Sequence, residues 1–236
     1  MRATIVFDVN ETLLDLSALD PLFAGQFGNT AARRVWFGQV LQSALVATIL
    51  DDYQDFGVIA AAALEMVAAR SGVALNETVR REILGDMRAL PAHPEALDAL
   101  EHLKDAGCRL ATLTNSPPSM VESQLERSGL KDQFDAILSV DAVRMFKPAR
   151  AVYDMAAREL GEEPSALWLV AAHNWDTSGA LSAGWNAAFV QRPGMVLGLL
   201  DKTPQIIGSD LGAVADQLLS RLAGHEEAGT DDPGER

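Results

Sequence analysis

The sequence predicts an α/β protein: a parallel sheet wrapped by helices, interrupted near its start by a helical insert. Three observations carry this expectation. The β-branched and apolar run Thr4 to Phe7 ends in Asp8 and reads as a buried strand. It is followed by about seventy residues with helical spacing of the apolar positions, residues 16 to 90. From Glu95 onward short apolar strands alternate with helices, the pattern of right-handed βαβ units and hence of a parallel sheet covered on both faces.

The insert opens with Leu19, Leu22, Phe23 and Phe27 and continues with Val35, Trp36, Val40, Leu41, Leu45, Ile49 and Leu50. Val58 to Ala69 is alanine-rich and apolar on most faces, which predicts a helix buried between others. Asn76 followed by Glu77 reads as an N-cap opening a helix to about Met87, and Pro91 and Pro94 close the block. Beyond it, strands are expected at 109–113, 136–140, 167–171, 187–190 and 205–207. Helices are expected at 94–106, 118–128, 149–160, just after Trp175, and 211–222. The chain thus divides into a core of residues 1–15 plus 91–223, an insert of 16–90, and a tail of 224–236. That tail is rich in Gly, Pro and acidic residues without an apolar period, and is expected to be disordered.

The 236 residues, 48% hydrophobic and 22% charged, are ordinary for a globular enzyme with a substantial core. A formal net charge of -14 opposes nucleic-acid and anionic-membrane partners, which require basic patches. The single cysteine, Cys108, allows neither an internal disulfide nor a thiolate metal site, so a reducing cytoplasm is expected. The first apolar run is too short for a signal peptide or membrane span. With four histidines, at 93, 102, 173 and 225, a His-rich metal centre is not expected.

In an open parallel sheet, ligands bind beyond the carboxyl ends of the strands. The residues there are Asp8, Asn10, Glu11 and Thr12; Thr114, Asn115 and Ser116; Lys147; and His173, Asn174, Trp175 and Asp176. Any one cluster is ordinary turn or surface chemistry. Four polar clusters at four successive strand ends point instead to a reaction centre, with Asp8 as candidate nucleophile rather than a turn cap.

Asp8 with Thr12, Thr114-Asn115, Lys147-Pro148 with Tyr153 downstream, and Asn174-Trp175-Asp176 followed by Gly179 resemble the four ordered motifs of the haloacid dehalogenase (HAD) superfamily. The resemblance covers roughly residues 4 to 222. It implies a Rossmann-like HAD core, with the helical insert as its cap domain. Leu138-Ser139-Val140 leading to Asp141, Lys147-Pro148, Tyr153 and Trp175-Asp176 are most similar to the L-2-haloacid dehalogenases. Phosphatases of the superfamily have a second aspartate two residues after the nucleophile, where this chain has Asn10. An amide cannot donate and recover a proton at neutral pH, whereas a departing halide needs no acid.

The resemblance therefore implies hydrolysis of short-chain (S)-2-haloacids to (R)-2-hydroxy acids through an aspartyl ester on Asp8, without cofactor or metal. Lys147 would keep Asp8 ionised, and Asp176 would hold Lys147 or orient the loop. The backbone N–H groups after Asp8, at Val9 and Asn10, would hold the substrate carboxylate with Thr114 and Asn115. Asn115 and Trp175 would border the halide, and Thr12, Tyr153 and Asn174 would support these groups from behind. A homodimer, common in the family, is expected.

Three departures from the dehalogenase pattern stand out. Asn10-Glu11 replaces an aromatic-glycine pair, and Ala171 and His173 stand where serine and asparagine are usual. Glu11 and His173 are thus expected to form the base that hydrolyses the ester, resembling a His/Glu branch of the family, with neutral His173 active as pH rises through roughly 6 to 7. Third, Phe37 follows Trp36 where many members place a halide-binding arginine, while Arg33 and Arg34 lie a turn earlier and need not point inward. Phe37 and Trp175 are expected to give a more apolar halide pocket. The alternatives are a Mg2+-dependent phosphatase of the same fold and a catalytically silent binding protein.

Overall fold

In the computed structural model, which describes residues 3–228, six strands form one parallel sheet. They are β1 (Thr4–Phe7), β2 (Arg109–Thr114), β3 (Ala136–Ser139), β4 (Leu167–Ala171), β5 (Asn186–Val190) and β6 (Ile206–Gly208), in the order β3-β2-β1-β4-β5-β6. All four residues of β1 are buried, as are all five of β4, because helices cover both faces. Thr4 pairs with Arg109 on one side and Leu167 on the other, so β1 is central. The chain builds outward from β1 in one direction through β2 and β3, then in the other through β4, β5 and β6. The strand order therefore reverses at β1, and its carboxyl end is the switch point where such sheets bind ligands. The backbone N–H of Asp8 donates to Val170 O at 3.0 Å, which fixes the first residue past that end.

Between β1 and β2 lie α1 (Asp20–Phe27), α2 (Ala31–Ile49), α3 (Phe56–Arg70) and α4 (Glu77–Asp86), then α5 (Ala96–Asp105). Local chemistry sets several of these starts. Asn76 Oδ1 accepts the N–H groups of Thr78 and Val79, and Asp55 accepts that of Gly57, satisfying donors that a helix start leaves unpaired. Trp36 of α2 is fully buried, donates Nε1–H to Ala60 O of α3 at 2.9 Å, and packs on Phe23 of α1. The insert is tied to the segment after β3. Tyr53 stacks on Phe146 with ring centroids 4.9 Å apart and donates to Asp141, and Thr48 Oγ1 accepts the Phe146 N–H.

The remaining helices are α6 (Pro118–Arg127), α7 (Arg150–Leu160), α8 (Asn174–Ser182) and α9 (Leu211–Ala228). Two expectations need correction. Helix α3 buries only one face: Phe56, Ile59, Ala60, Ala63, Leu64 and Val67 point inward, while Val58 and Met66 are exposed, because nothing packs on its outer side. Helix α9 runs on to Ala228, past the expected start of the tail at Gly224; the rest of that tail lies outside the described residues. Among the described residues no helix is long and apolar enough to cross a membrane.

Gly179 of α8 is required by close packing. A Cβ there would lie 2.4 Å from Tyr153 Oη and 2.6 Å from Pro148 Cβ. Gly179→Ala is expected to cost about 1–3 kcal/mol through overpacking. Thermal unfolding should show a midpoint lowered by roughly 2–4 °C per kcal/mol.

Candidate active site

The side chains of Lys147, Thr12 and His173 converge on Asp8, which is 4% exposed. Lys147 is the nearest cation. Its side chain is fully buried, and its three protons meet three acceptors: Asp8 Oδ1 at 2.9 Å, Leu113 O at 2.8 Å and Asp176 Oδ2 at 2.6 Å. Asp176 is held in turn by Tyr153, whose hydroxyl donates to Asp176 Oδ1 at 2.6 Å. Asn115 Oδ1 accepts the Lys147 N–H at 3.0 Å, which locks the loop carrying the lysine to the end of β2. A lysine alone in this interior would neutralise. Burial does oppose its charge, but Asp176 and Asp8 outweigh it and raise the Lys147 pKa above the usual value.

The other oxygen of Asp8 has different partners. Thr12 Oγ1 donates to Asp8 Oδ2 at 2.7 Å while accepting the Ala172 N–H, so β1 and β4 jointly aim that hydroxyl. His173 Nδ1 lies 3.1 Å from the same oxygen. Burial alone would raise the Asp8 pKa; Lys147 and His173 overcome it and hold the carboxyl well below the ordinary range. Asp176, next to the same lysine, goes the other way: burial and the Asp8 charge raise its pKa.

His173 Nε2 lies 3.0 Å from Glu11 Oε2, so the imidazole bridges two carboxylates. Glu11 occupies this place with φ +62°, the left-handed region that glycine favours. A residue with a side chain in this conformation carries some backbone strain, of order 1 kcal/mol. Trp175 stacks on His173 with centroids 4.9 Å apart, and the Phe37 ring of α2 lies 6.3 Å from it. Together they shield the imidazole on its apolar sides.

The sequence expectations need correcting at several of these residues. His173 is not a neutral imidazole of ordinary pKa beside free Asp8. Burial opposes its charge, but Asp8 and Glu11 raise its pKa to about 10, so the resting ring is a cation at neutral pH. Arg33 does point inward: it is 5% exposed, with Nη1 at 3.3 Å from Glu11 Oε1 and Nε on Asp20. The Asn10 side chain turns away from Asp8, donating to Ser116 Oγ and accepting from Gln124 Nε2 of α6, so only its backbone remains for a ligand. The Thr114 hydroxyl accepts the Ser116 N–H and thereby builds the turn after β2. Asn174 Nδ2 donates to Asp201 Oδ2 and steadies the loop after β5 rather than Asp8. Val9 is wholly buried, and its carbonyl accepts the N–H groups of Leu13 and Leu14. Sequence reasoning missed Gln124, an ordinary polar residue with no signal in spacing. Ser139 was legible only as part of a motif, without a role; its hydroxyl donates to Ser116 O at 2.8 Å. Among the described residues no group of three or more His, Cys, Asp or Glu is placed to hold a metal ion.

Fold and site together define an α/β enzyme built around a buried carboxylate at the switch point of its sheet, with a helical insert over it. The chain belongs to the haloacid dehalogenase-like hydrolases, whose family model matches residues 3–184. It is 30% identical over 229 residues to an (S)-2-haloacid dehalogenase of Pseudomonas sp. strain YL, covering 95% of this chain and 97% of that one. To (S)-2-haloacid dehalogenase H-109 of Pseudomonas putida it is 30% identical over 219 residues, covering 91% and 97%. Its fold also matches the L-2-haloacid dehalogenase of Xanthobacter autotrophicus with chloropropionic acid covalently bound, at a TM-score of 0.85 and 23% identity over 92% of this chain and 98% of that one.

The raised His173 pKa fixes the sign of a pH effect. The stabilisation from the His173 cation is fully present below about pH 6.5 and is lost as pH rises towards about 10. Thermal unfolding should therefore show wild type losing stability more steeply than His173→Asn across that window. Equal slopes would contradict the cationic resting state.

Proposed function

We propose that the chain hydrolyses short-chain (S)-2-haloacids to (R)-2-hydroxy acids through an ester on Asp8. The observation that carries this reading is the asymmetric holding of Asp8: among the described residues Oδ2 has two donors, Thr12 and His173, while Oδ1 has Lys147 alone. Oδ1 thus keeps a lone pair for attack on C2, opposite the carbon-halogen bond. The C2–O bond forms as the C–X pair leaves with halide, and C2 inverts. The backbone N–H groups of Val9 and Asn10, with Asn115, face the substrate carboxylate, and Trp175 and Phe37 border the halide.

Ester formation removes the charge of Asp8, which is one of the two anions that keep His173 protonated. Glu11 remains, and burial opposes the cation, so the imidazole releases its proton and becomes a base. Water then attacks Cγ of the ester and its proton passes to His173, whose cation Glu11 stabilises. His173 returns that proton to the departing alkoxide, giving the hydroxy acid. The new acid proton on Asp8 moves to His173, which restores the resting charges. One proton is released per turnover, and it leaves during alkylation.

The phosphatase alternative lacks an acid in the position it needs, and Asn10 is tied to Ser116 and Gln124. We also propose that the chain divides into a core (1–15 plus 91–223) and a cap (16–90), works in the cytoplasm and forms a homodimer. The dimer is supported by the exposed apolar side chains Val46, Ile49 and Leu50 near the end of α2.

Halide release from (S)-2-chloropropionate in the presence of a chelator should occur with wild type and vanish with Asp8→Asn. Phosphate release from phosphomonoesters with Mg2+, without halide release, would overturn the reading. His173→Asn should alkylate normally and accumulate a mass adduct on Asp8; an unmodified, slowly turning-over variant would contradict His173 as the base. In stopped flow with an indicator dye, proton release by wild type should coincide with the alkylation burst. Release only in the later hydrolysis phase would argue against the charge switch.

A further inference from the structure

The structure leaves Arg33 without a role in the steps above, although it is among the most buried charges of the insert. Its guanidinium holds two acids at once, Asp20 through Nε and Glu11 through Nη1. Each oxygen of Glu11 consequently has one partner: Oε2 faces His173 in the core and Oε1 faces Arg33 on α2. Glu11, Arg33 and Asp20 all border a cavity of about 210 Å3, lined also by Asp15, His93, Arg34 and Arg192. A carboxylate released from Arg33 would have that cavity to turn into, and could leave the imidazole. The Glu11 backbone does not prevent this, because φ +62° fixes where the side chain starts and not where it ends.

We propose that Arg33 is the positioning residue of the water-activating pair: it holds the Glu11 carboxylate against His173 and thereby supports ester hydrolysis without taking part in alkylation. The planar fork of arginine suits this task, since Nε and a terminal nitrogen fix two carboxylates in one geometry, whereas a lysine presents a single point charge. Asp20 anchors the fork from α1, so the insert and the core both define where Glu11 points. The base that acts on the ester is in this way completed by a residue of the insert. This inference rests on the Glu11–His173 reading given above.

The test is a double-mutant cycle on the two half-reactions. Rapid quench with (S)-2-chloropropionate followed by intact-mass analysis gives the rates at which the Asp8 adduct forms and disappears. Arg33→Met keeps the apolar stem. It is expected to slow adduct disappearance roughly 10- to 100-fold, part of what a positioned base supplies, with adduct formation changed less than about twofold. Glu11→Gln should give the same phenotype, and Arg33→Met with Glu11→Gln should be no slower than Glu11→Gln alone. Arg33→Lys should recover part of the loss, and serves as the reporter if Arg33→Met fails to fold. Equal slowing of both half-reactions, multiplying effects in the double variant, or a normal hydrolysis rate in Arg33→Met beside a slow Glu11→Gln would overturn the role of Arg33 alone. A normal hydrolysis rate in Glu11→Gln would overturn the Glu11–His173 pair, and this inference with it.

Discussion

The buried ammonium of Lys147 is the constraint on which the site depends. Its three protons meet Asp8, Asp176 and the Leu113 carbonyl, each from a different strand end. Without that charge, two carboxylates would face each other in an interior that tolerates neither. The lysine is itself held from behind, through Asn115 on its backbone and through Asp176 by Tyr153. Even the glycine at position 179 belongs to this arrangement, because it lets the Tyr153 hydroxyl reach Asp176. The sheet supplies the meeting point: Thr12 follows β1 itself, Lys147 follows β3 and His173 follows β4, and all three reach Asp8.

Around this centre, charges of opposite sign run in sequence from Asp176 to Lys147, Asp8, His173, Glu11, Arg33 and Asp20. A chain of alternating charges in a low-dielectric interior is sensitive to the loss of any one of them. Neutralising Asp8 by an ester is the largest such change the reaction makes. In the proposed mechanism that loss is what turns His173 from a partner of the nucleophile into a base. No separate trigger is required, since the first chemical step alters the proton affinity that the second step uses. Glu11 holds a backbone conformation that costs a residue with a side chain, and its carboxylate is engaged by both His173 and Arg33.

Much of the architecture follows from the order of residues alone. The short apolar run ending in Asp8, the alternation after Glu95, and the polar residues at successive strand ends determine a parallel sheet with one reactive edge, because buried strands and right-handed crossovers leave few other topologies. The helical insert between β1 and β2 is legible for the same reason: its apolar spacing changes period. Asp8 could be assigned because it lies immediately beyond β1, where position along the chain and position in space coincide, and Lys147 and Asp176 because they follow β3 and β4 on the same edge of the sheet. Glu11 and His173 could be paired because both flank the central strands.

Tertiary structure decided what sequence spacing cannot encode. A helical residue's facing is set by how the helix is rotated against the core, so Arg33, a turn before Trp36, proved to be buried against Glu11. Alanine-rich α3 has an outer face because no further element covers it, a fact about the whole insert rather than about its own residues. The Asn10 amide could be named but not aimed, since its partners Ser116 and Gln124 lie more than a hundred residues away in the chain. The protonation of His173 was the least accessible of all. An isolated imidazole titrates near neutrality, and only two carboxylates brought within hydrogen-bonding distance of the same buried ring make it a cation at rest.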